Sequence, residues 1–239
     1  MTTEELKKHI ETIIDNTFKA IDEVYKTNKE NSKPAKYNSD NSLIFPIYKN
    51  GKHPEGLRVS EQELRCIFIE EFNKNCRGYY YSIETPTCMR YSFSNSGKKT
   101  TPKCYSEKKG RSGCIDLVIH NKDGRRAALI EFKKAPCDPH EYAKDFLKLF
   151  AENEGEERFF ICISEEKSGV SPLEDIEKKI CEDYFNFNNN VDEAAKNIKK
   201  EHPLHFYSHK LGNNGNYETC SISFKNGECK IERHTFSSK

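Results

Sequence analysis

Two neighbouring segments hold the side chains best suited to chemistry. Residues 114–120 read CIDLVIH and residues 127–133 read AALIEFK, with NKDGRR between them. Both look like β-strands, and Asp123-Gly124 is a hairpin turn signal. A hairpin centred on that turn sets Asp116 opposite Glu131. Lys133, two residues further on, falls on the same face. Ile115, Leu117, Ile119, Ile130 and Phe132 fall on the other. Like charges placed directly opposite each other on a sheet are destabilising. A divalent cation between the two carboxylates offsets the repulsion, because hard cations take oxygen ligands. A nearby ammonium group does part of the same. The plainer account is a half-exposed strand whose polar side faces water, and a one-residue slip would separate the pair.

Basic residues lie close by in sequence. Residues 98–111, KKTTPKCYSEKKGR, contain Lys98, Lys99, Lys103, Lys108, Lys109 and Arg111, and the hairpin tip adds Lys122, Arg125 and Arg126. Clustered Lys and Arg neutralise phosphates and release counterions, which gives sequence-independent affinity for nucleic acid. A merely solvated loop is the plain alternative. Lys144 and Lys148 read as surface charges paired with Glu141, Asp145 and Glu152, with reach toward a bound strand as the alternative.

The elements that must position these groups follow from periodicity. Residues 3–27 carry Leu6, Ile10, Ile13, Ile14, Phe18, Ile21, Val24 and Tyr25 at helical spacing. A polar stretch to residue 42 follows, so this helix is expected to dock loosely or to supply a dimer contact. Ser60 and Glu63 form a capping box that opens a helix over 60–75. Residues 79–85 read as a strand in which one or two of Tyr79, Tyr80 and Tyr81 enter the core. Asp138-Pro139-His140-Glu141 opens a helix over 139–153, buried through Tyr142, Phe146, Leu149 and Phe150. Residues 159–164, FFICIS, read as a strand covered on both faces. Strand 127–133, helix 139–153 and strand 159–164 then make a βαβ crossover with parallel strands. Helices are expected from Ser171 and over 191–200, then a strand over 204–209 and a hairpin around Lys225-Asn226-Gly227. The division expected is 1–42 as helix and linker, and 43–239 as one α/β domain with an extension from about residue 170.

The 239 residues are 35% hydrophobic and 32% charged, with a net charge of +1. That balance excludes a uniformly basic coat, leaving only a local basic patch. No stretch approaches the apolar length of a membrane span. The acidic, amphipathic start does not resemble a signal peptide, so a cytoplasmic setting is expected. The ten cysteines form no C-x-x-C pair and are expected to be mostly buried thiols. His202, His205 and His209 lack a zinc spacing.

The segment GCIDLVIHNKDGRRAALIEFKK resembles the core of the PD-(D/E)xK nucleases, the restriction-endonuclease-like fold, with Asp116, Glu131 and Lys133 read as D…ExK. Ile115 stands where that family often has Pro. The resemblance covers residues 58 to 165 and implies an αβββαβ core around a mixed sheet, flanked here by the N-terminal helix, a C-terminal helix and a β-hairpin. It implies one or two Mg²⁺ (or Mn²⁺) ions on Asp116 and Glu131, with the Phe132 carbonyl as a further ligand. Lys133 would position water or stabilise the transition state. A helix Glu often joins such sites; Glu63, Glu70 and Glu71 are the candidates and Glu63 is preferred, its capping role being the alternative. The implied activity is Mg²⁺-dependent phosphodiester hydrolysis in DNA, with RNA the nearest variant, in a restriction or defence setting. A homodimer is one arrangement such enzymes use. The alternatives are a non-catalytic nucleic-acid-binding or assembly module on the same fold, and an unrelated α/β protein with a coincidental D…ExK.

Overall fold

The computed structural model describes residues 2–31, 43–50, 53–92, 103–105, 110–135, 139–151, 155–165, 203–225 and 228–236. The helices expected from Ser171 and over 191–200 lie outside these residues, as do Lys98, Lys99, Lys108 and Lys109.

The order is α1 (Thr3–Asn31), β1 (Ile47–Asn50), β2 (His53–Leu57), α2 (Glu61–Asn75), β3 (Tyr80–Ser92), β4 (Lys103–Tyr105), β5 (Arg111–His120), β6 (Arg126–Ala135), α3 (Pro139–Ala151), β7 (Glu157–Ser164), β8 (Leu204–Lys210), β9 (Tyr217–Lys225) and β10 (Glu228–Phe236). Strands β1 and β2 form a separate antiparallel pair. The other eight described strands form one sheet in the order β10-β9-β8-β7-β6-β5-β3-β4. The sheet is mixed: β6–β7 and β7–β8 are parallel, and the remaining pairs are antiparallel. The protein is therefore of the α/β class, and the β6–α3–β7 crossover is present as expected.

Two apolar layers enclose the sheet. On one face, Leu117, Ile119, Ile130, Phe132, Phe159, Ile161 and Ile163 pack with the stripes of α1 and α2. On the other, Val118, Leu129, Phe160 and Cys162 pack with Tyr142, Phe146, Leu147 and Leu149 of α3. Ile115 joins this second layer rather than the first. Strand β7 is buried along its whole length, which is why its sequence is continuously apolar from Phe159 to Ile163. Tyr79 and Tyr81 pack against the first layer, and Tyr80 is exposed.

Helix α1 is not loosely attached. Its apolar stripe, Leu6 through Tyr25, is buried in the first layer at 0–7% exposure. A buried polar knot ties it further: Asp22 Oδ1 lies 2.9 Å from His209 Nε2 on β8. The same carboxylate accepts from the backbone N–H groups of Gly212 (2.6 Å) and Gly215 (2.7 Å). Both glycines have positive φ, at 88° and 76°, which aims their amides at Asp22 where a side-chain-bearing residue would be strained. His209 Nδ1 lies 2.9 Å from the Asn216 carbonyl. Burial opposes the charge on Asp22, yet His209 and the two amides hold its carboxyl below the usual range. His205 is likewise engaged, with Glu157 at 3.0 Å and Ser221 at 3.1 Å.

The thiols are less hidden than expected. Among the described side chains, Cys76, Cys162 and Cys220 are buried and Cys66, Cys88 and Cys114 are exposed. No helix among the described residues is long and apolar enough to cross a membrane.

Candidate active site

The β5–β6 hairpin sets the geometry. Its partner pairs are Leu117↔Ile130, Val118↔Leu129 and Ile119↔Ala128, followed by a slip to His120↔Arg126. This is the register that aligns Asp116 with Glu131. The turn is looser than a two-residue Asp-Gly loop. Asn121 Oδ1 accepts from Asp123 N (3.0 Å) and Arg125 N (2.9 Å), and Gly124 takes a φ of 77°.

Beyond Leu117↔Ile130, a side chain replaces the backbone as acceptor. Asp116 Oδ2 accepts from Phe132 N at 2.8 Å. The N–H and C=O of one strand residue face the same edge, so the Phe132 carbonyl also lies on the Asp116 side. Burial pushes the Asp116 carboxyl above its ordinary range, against the Phe132 hydrogen bond and the nearby Lys148.

Glu131 is 1% exposed. Its Oε1 lies 2.5 Å from Lys148 Nζ, an ionic contact without the alignment of a good hydrogen bond. Burial, together with the carboxylates of Asp145 and Asp116, raises the Glu131 carboxyl well above its ordinary value despite Lys148. Asp145 behaves in the opposite way. Burial opposes its charge, but Lys148 (3.0 Å) and Lys133 (2.8 Å) hold it below the usual range. Lys148 loses hydration, yet Glu131 and Asp145 keep it firmly protonated. Three buried or half-buried carboxylates thus share two ammonium groups, and Glu131 is the least compensated.

A fourth carboxylate comes from α2. Glu61 Oε1 lies 3.6 Å from Lys133 Nζ and accepts from Lys134 N at 3.4 Å. Burial raises its carboxyl, with Lys133 opposing. The preferred helix residue, Glu63, is occupied elsewhere. It accepts from Ser60 N at 3.1 Å and contacts the Ser60 hydroxyl, completing the capping box. Glu70 and Glu71 pair with Lys74 at 3.0 and 2.8 Å. The acid that α2 brings to Lys133 is therefore the first residue of the helix, which the sequence reading did not consider.

Lys148 does pair with Asp145, as expected, but the pair is buried. Lys148 is 4% exposed rather than a surface charge. The available signal was Asp145 at i+3 from Tyr142 and i−4 from Leu149, inside the apolar stripe of α3. An acid in that position requires a buried partner.

The basic residues are dispersed. Arg111 opens β5 and is exposed, whereas Arg125 and Arg126 sit at the opposite end of that strand. Arg126 donates to the Pro86 carbonyl at 2.7 Å. The tip lies about 16 Å along β6 from Glu131, at the strand rise of about 3.3 Å per residue. Lys103 is in β4 at the sheet edge.

Among the described residues, no three or more His, Cys, Asp or Glu side chains are grouped to hold an ion. Asp116 and Glu131 nevertheless fit Mg²⁺. That ion keeps several waters and uses one or two carboxylates plus substrate phosphate, rather than an all-protein cage. Fully ionised, the four carboxylates exceed the two ammonium groups by two charges, which a divalent ion would neutralise. No protein-family model, curated protein or solved structure matches this chain.

Proposed function

We propose that this protein is a metal-dependent nuclease of the PD-(D/E)xK type, hydrolysing phosphodiester bonds, with DNA the favoured substrate. The observation that carries the reading is the convergence of Asp116 and Glu131 at the point where β5 and β6 part, with the Phe132 peptide turned toward Asp116. Supporting it is the element order α2, β3, β5, β6, α3, β7, with the short β4 lying between β3 and β5.

Asp116, Glu131 and the Phe132 carbonyl would hold the ion. When bound, Mg²⁺ or Mn²⁺ supplies Lewis acidity and an activated water. The chain's own residues prepare for this. Asp145 and Glu61 hold the Lys133 ammonium at 2.8 and 3.6 Å, and from there it would hold a water or a phosphate oxygen. The surrounding apolar layers exclude bulk water and strengthen each charge. Arg111 and Arg125 are exposed cations available to phosphates further along a bound strand.

The test is cleavage of plasmid, single-stranded DNA and RNA with Mg²⁺, Mn²⁺ or EDTA, by wild type and Asp116→Asn. Metal-dependent cleavage by wild type alone supports the reading. A metal-independent mobility shift with no cleavage of any substrate would replace it with the non-catalytic binding module.

A further inference from the structure

Lys148 presents an arrangement that the nuclease reading does not require. Its ammonium has three oxygen neighbours: Glu131 Oε1 at 2.5 Å, Asp145 Oδ1 at 3.0 Å and the Cys114 carbonyl at 2.8 Å. Three oxygens thus surround the ammonium: the Cys114 carbonyl accepts a hydrogen bond, and the two carboxylates make ionic contacts. Its stem runs beside Gly113, where an added Cβ would stand 3.3 Å from the Lys148 Cδ. Glycine at this position leaves room for the aliphatic chain to reach inward. Two carboxylates and a carbonyl around one compact cation form the kind of oxygen shell that a hard metal ion takes.

We propose that Lys148 is a resident cation of this site. It occupies the Glu131 carboxylate in the metal-free protein and gives it up when a divalent ion binds. The proposal rests on the metal-dependent reading above and adds an internal competitor to it. Lys148 keeps the Asp145 carboxylate after it leaves Glu131, so its charge is never stranded. In the metal-free protein Lys148 offsets part of the Glu131 and Asp145 charge, and Glu131 stays the less compensated of the two. The cost is weaker metal affinity, because each ion must displace an ammonium already in contact with Glu131.

The experiment is Mn²⁺ binding by titration calorimetry on the full chain. Wild type, Lys148→Met, Lys148→Arg and Glu131→Gln are compared, each with its thermal unfolding in EDTA and in Mn²⁺. The expected result is Mn²⁺ affinity about tenfold or more higher in Lys148→Met, since a buried charge contact no longer competes. Lys148→Met should also melt lower in EDTA and gain more from Mn²⁺ than wild type. Lys148→Arg should keep the weaker affinity. Equal or weaker binding by Lys148→Met, with wild-type binding abolished by Glu131→Gln, overturns the proposal and leaves the metal site standing. Absence of Mn²⁺ binding in wild type and Lys148→Met alike, or binding that survives Glu131→Gln, overturns the metal site itself and the proposal with it. Should Lys148→Met not fold, the lysine ammonium NMR signals of wild type decide. A protected signal missing from Lys148→Arg should vanish on Ca²⁺ saturation, and its persistence refutes displacement.

Discussion

Replacing Glu131 with Gln tests the electrostatics of the site without any substrate. Glu131 is fully enclosed, faces Asp145 and Asp116, and shares its one ammonium with Asp145. Its carboxyl is therefore raised well above the ordinary 4.5. The folded protein binds a proton there that the unfolded chain has released. Stability is full below pH 4.5 and falls as pH rises toward the folded value. Each pH unit within that window lowers the stability of metal-free wild type by about 1.4 kcal/mol. Gln imitates the protonated acid and carries no such dependence. In EDTA, the two proteins should be close in stability near pH 4.5, and Glu131→Gln should pull ahead by about 1.4 kcal/mol for each pH unit within the window. For a chain of this size that is about 3–6 °C. Urea unfolding between pH 4.5 and 8.5 reads the difference directly. Groups outside the Glu131, Asp116, Asp145 and Lys148 cluster are common to both proteins and largely cancel, so the gap reports the cluster as a unit. A variant less stable than wild type at pH 8, or a gap that does not move with pH, would refute the reasoning. It would mean that Lys148 fully compensates the Glu131 charge.

Four further outcomes follow from named contacts. Ser60→Ala should cost about 1 kcal/mol through loss of the α2 cap and leave the cleavage rate unchanged, whereas Glu61→Gln should lower cleavage about tenfold by loosening Lys133. Lys133→Met should reduce single-turnover cleavage about a hundredfold while leaving Mn²⁺ affinity within a few-fold of wild type, which calorimetry and quench-flow measurement separate. Asp22→Ala should destabilise the fold by about 3–5 kcal/mol in urea, because it strands buried His209 and the Gly215 amide, and frees the Gly212 amide, far from the carboxylate site.

Much of this architecture was legible because it is local. The Asp-Gly signal fixed a register that the β5–β6 pairs share, even though the turn itself is wider and slips at His120. The Ser60–Glu63 spacing revealed the cap of α2, and the unbroken apolar run of β7 revealed a strand covered on both sides. What escaped depends on contacts between distant segments. Glu63 looked suited to the site by motif, but its carboxylate is consumed within its own helix turn. Glu61 reaches Lys133 because the start of α2 lies against the end of β6, which no spacing within α2 can reveal. Lys148 was assigned to solvent because charges on helices usually are. Its burial follows from Glu131 beneath it, a partner on another element. The polar stretch from Lys26 to Ser42 suggested a loosely docked helix, whereas the eight-residue apolar stripe of α1 was the stronger signal. The addition of β8 alongside β7, parallel to it, was likewise invisible, because residues 165 and 203 are far apart in sequence.

The most direct measurement is anomalous scattering from crystals soaked in Mn²⁺. The account predicts a peak about 2.1 Å from carboxylate oxygens of both Asp116 and Glu131, on the side of the Phe132 carbonyl. A site without that peak at millimolar Mn²⁺, with Lys148 still against Glu131 and both carboxylates unliganded, would contradict it.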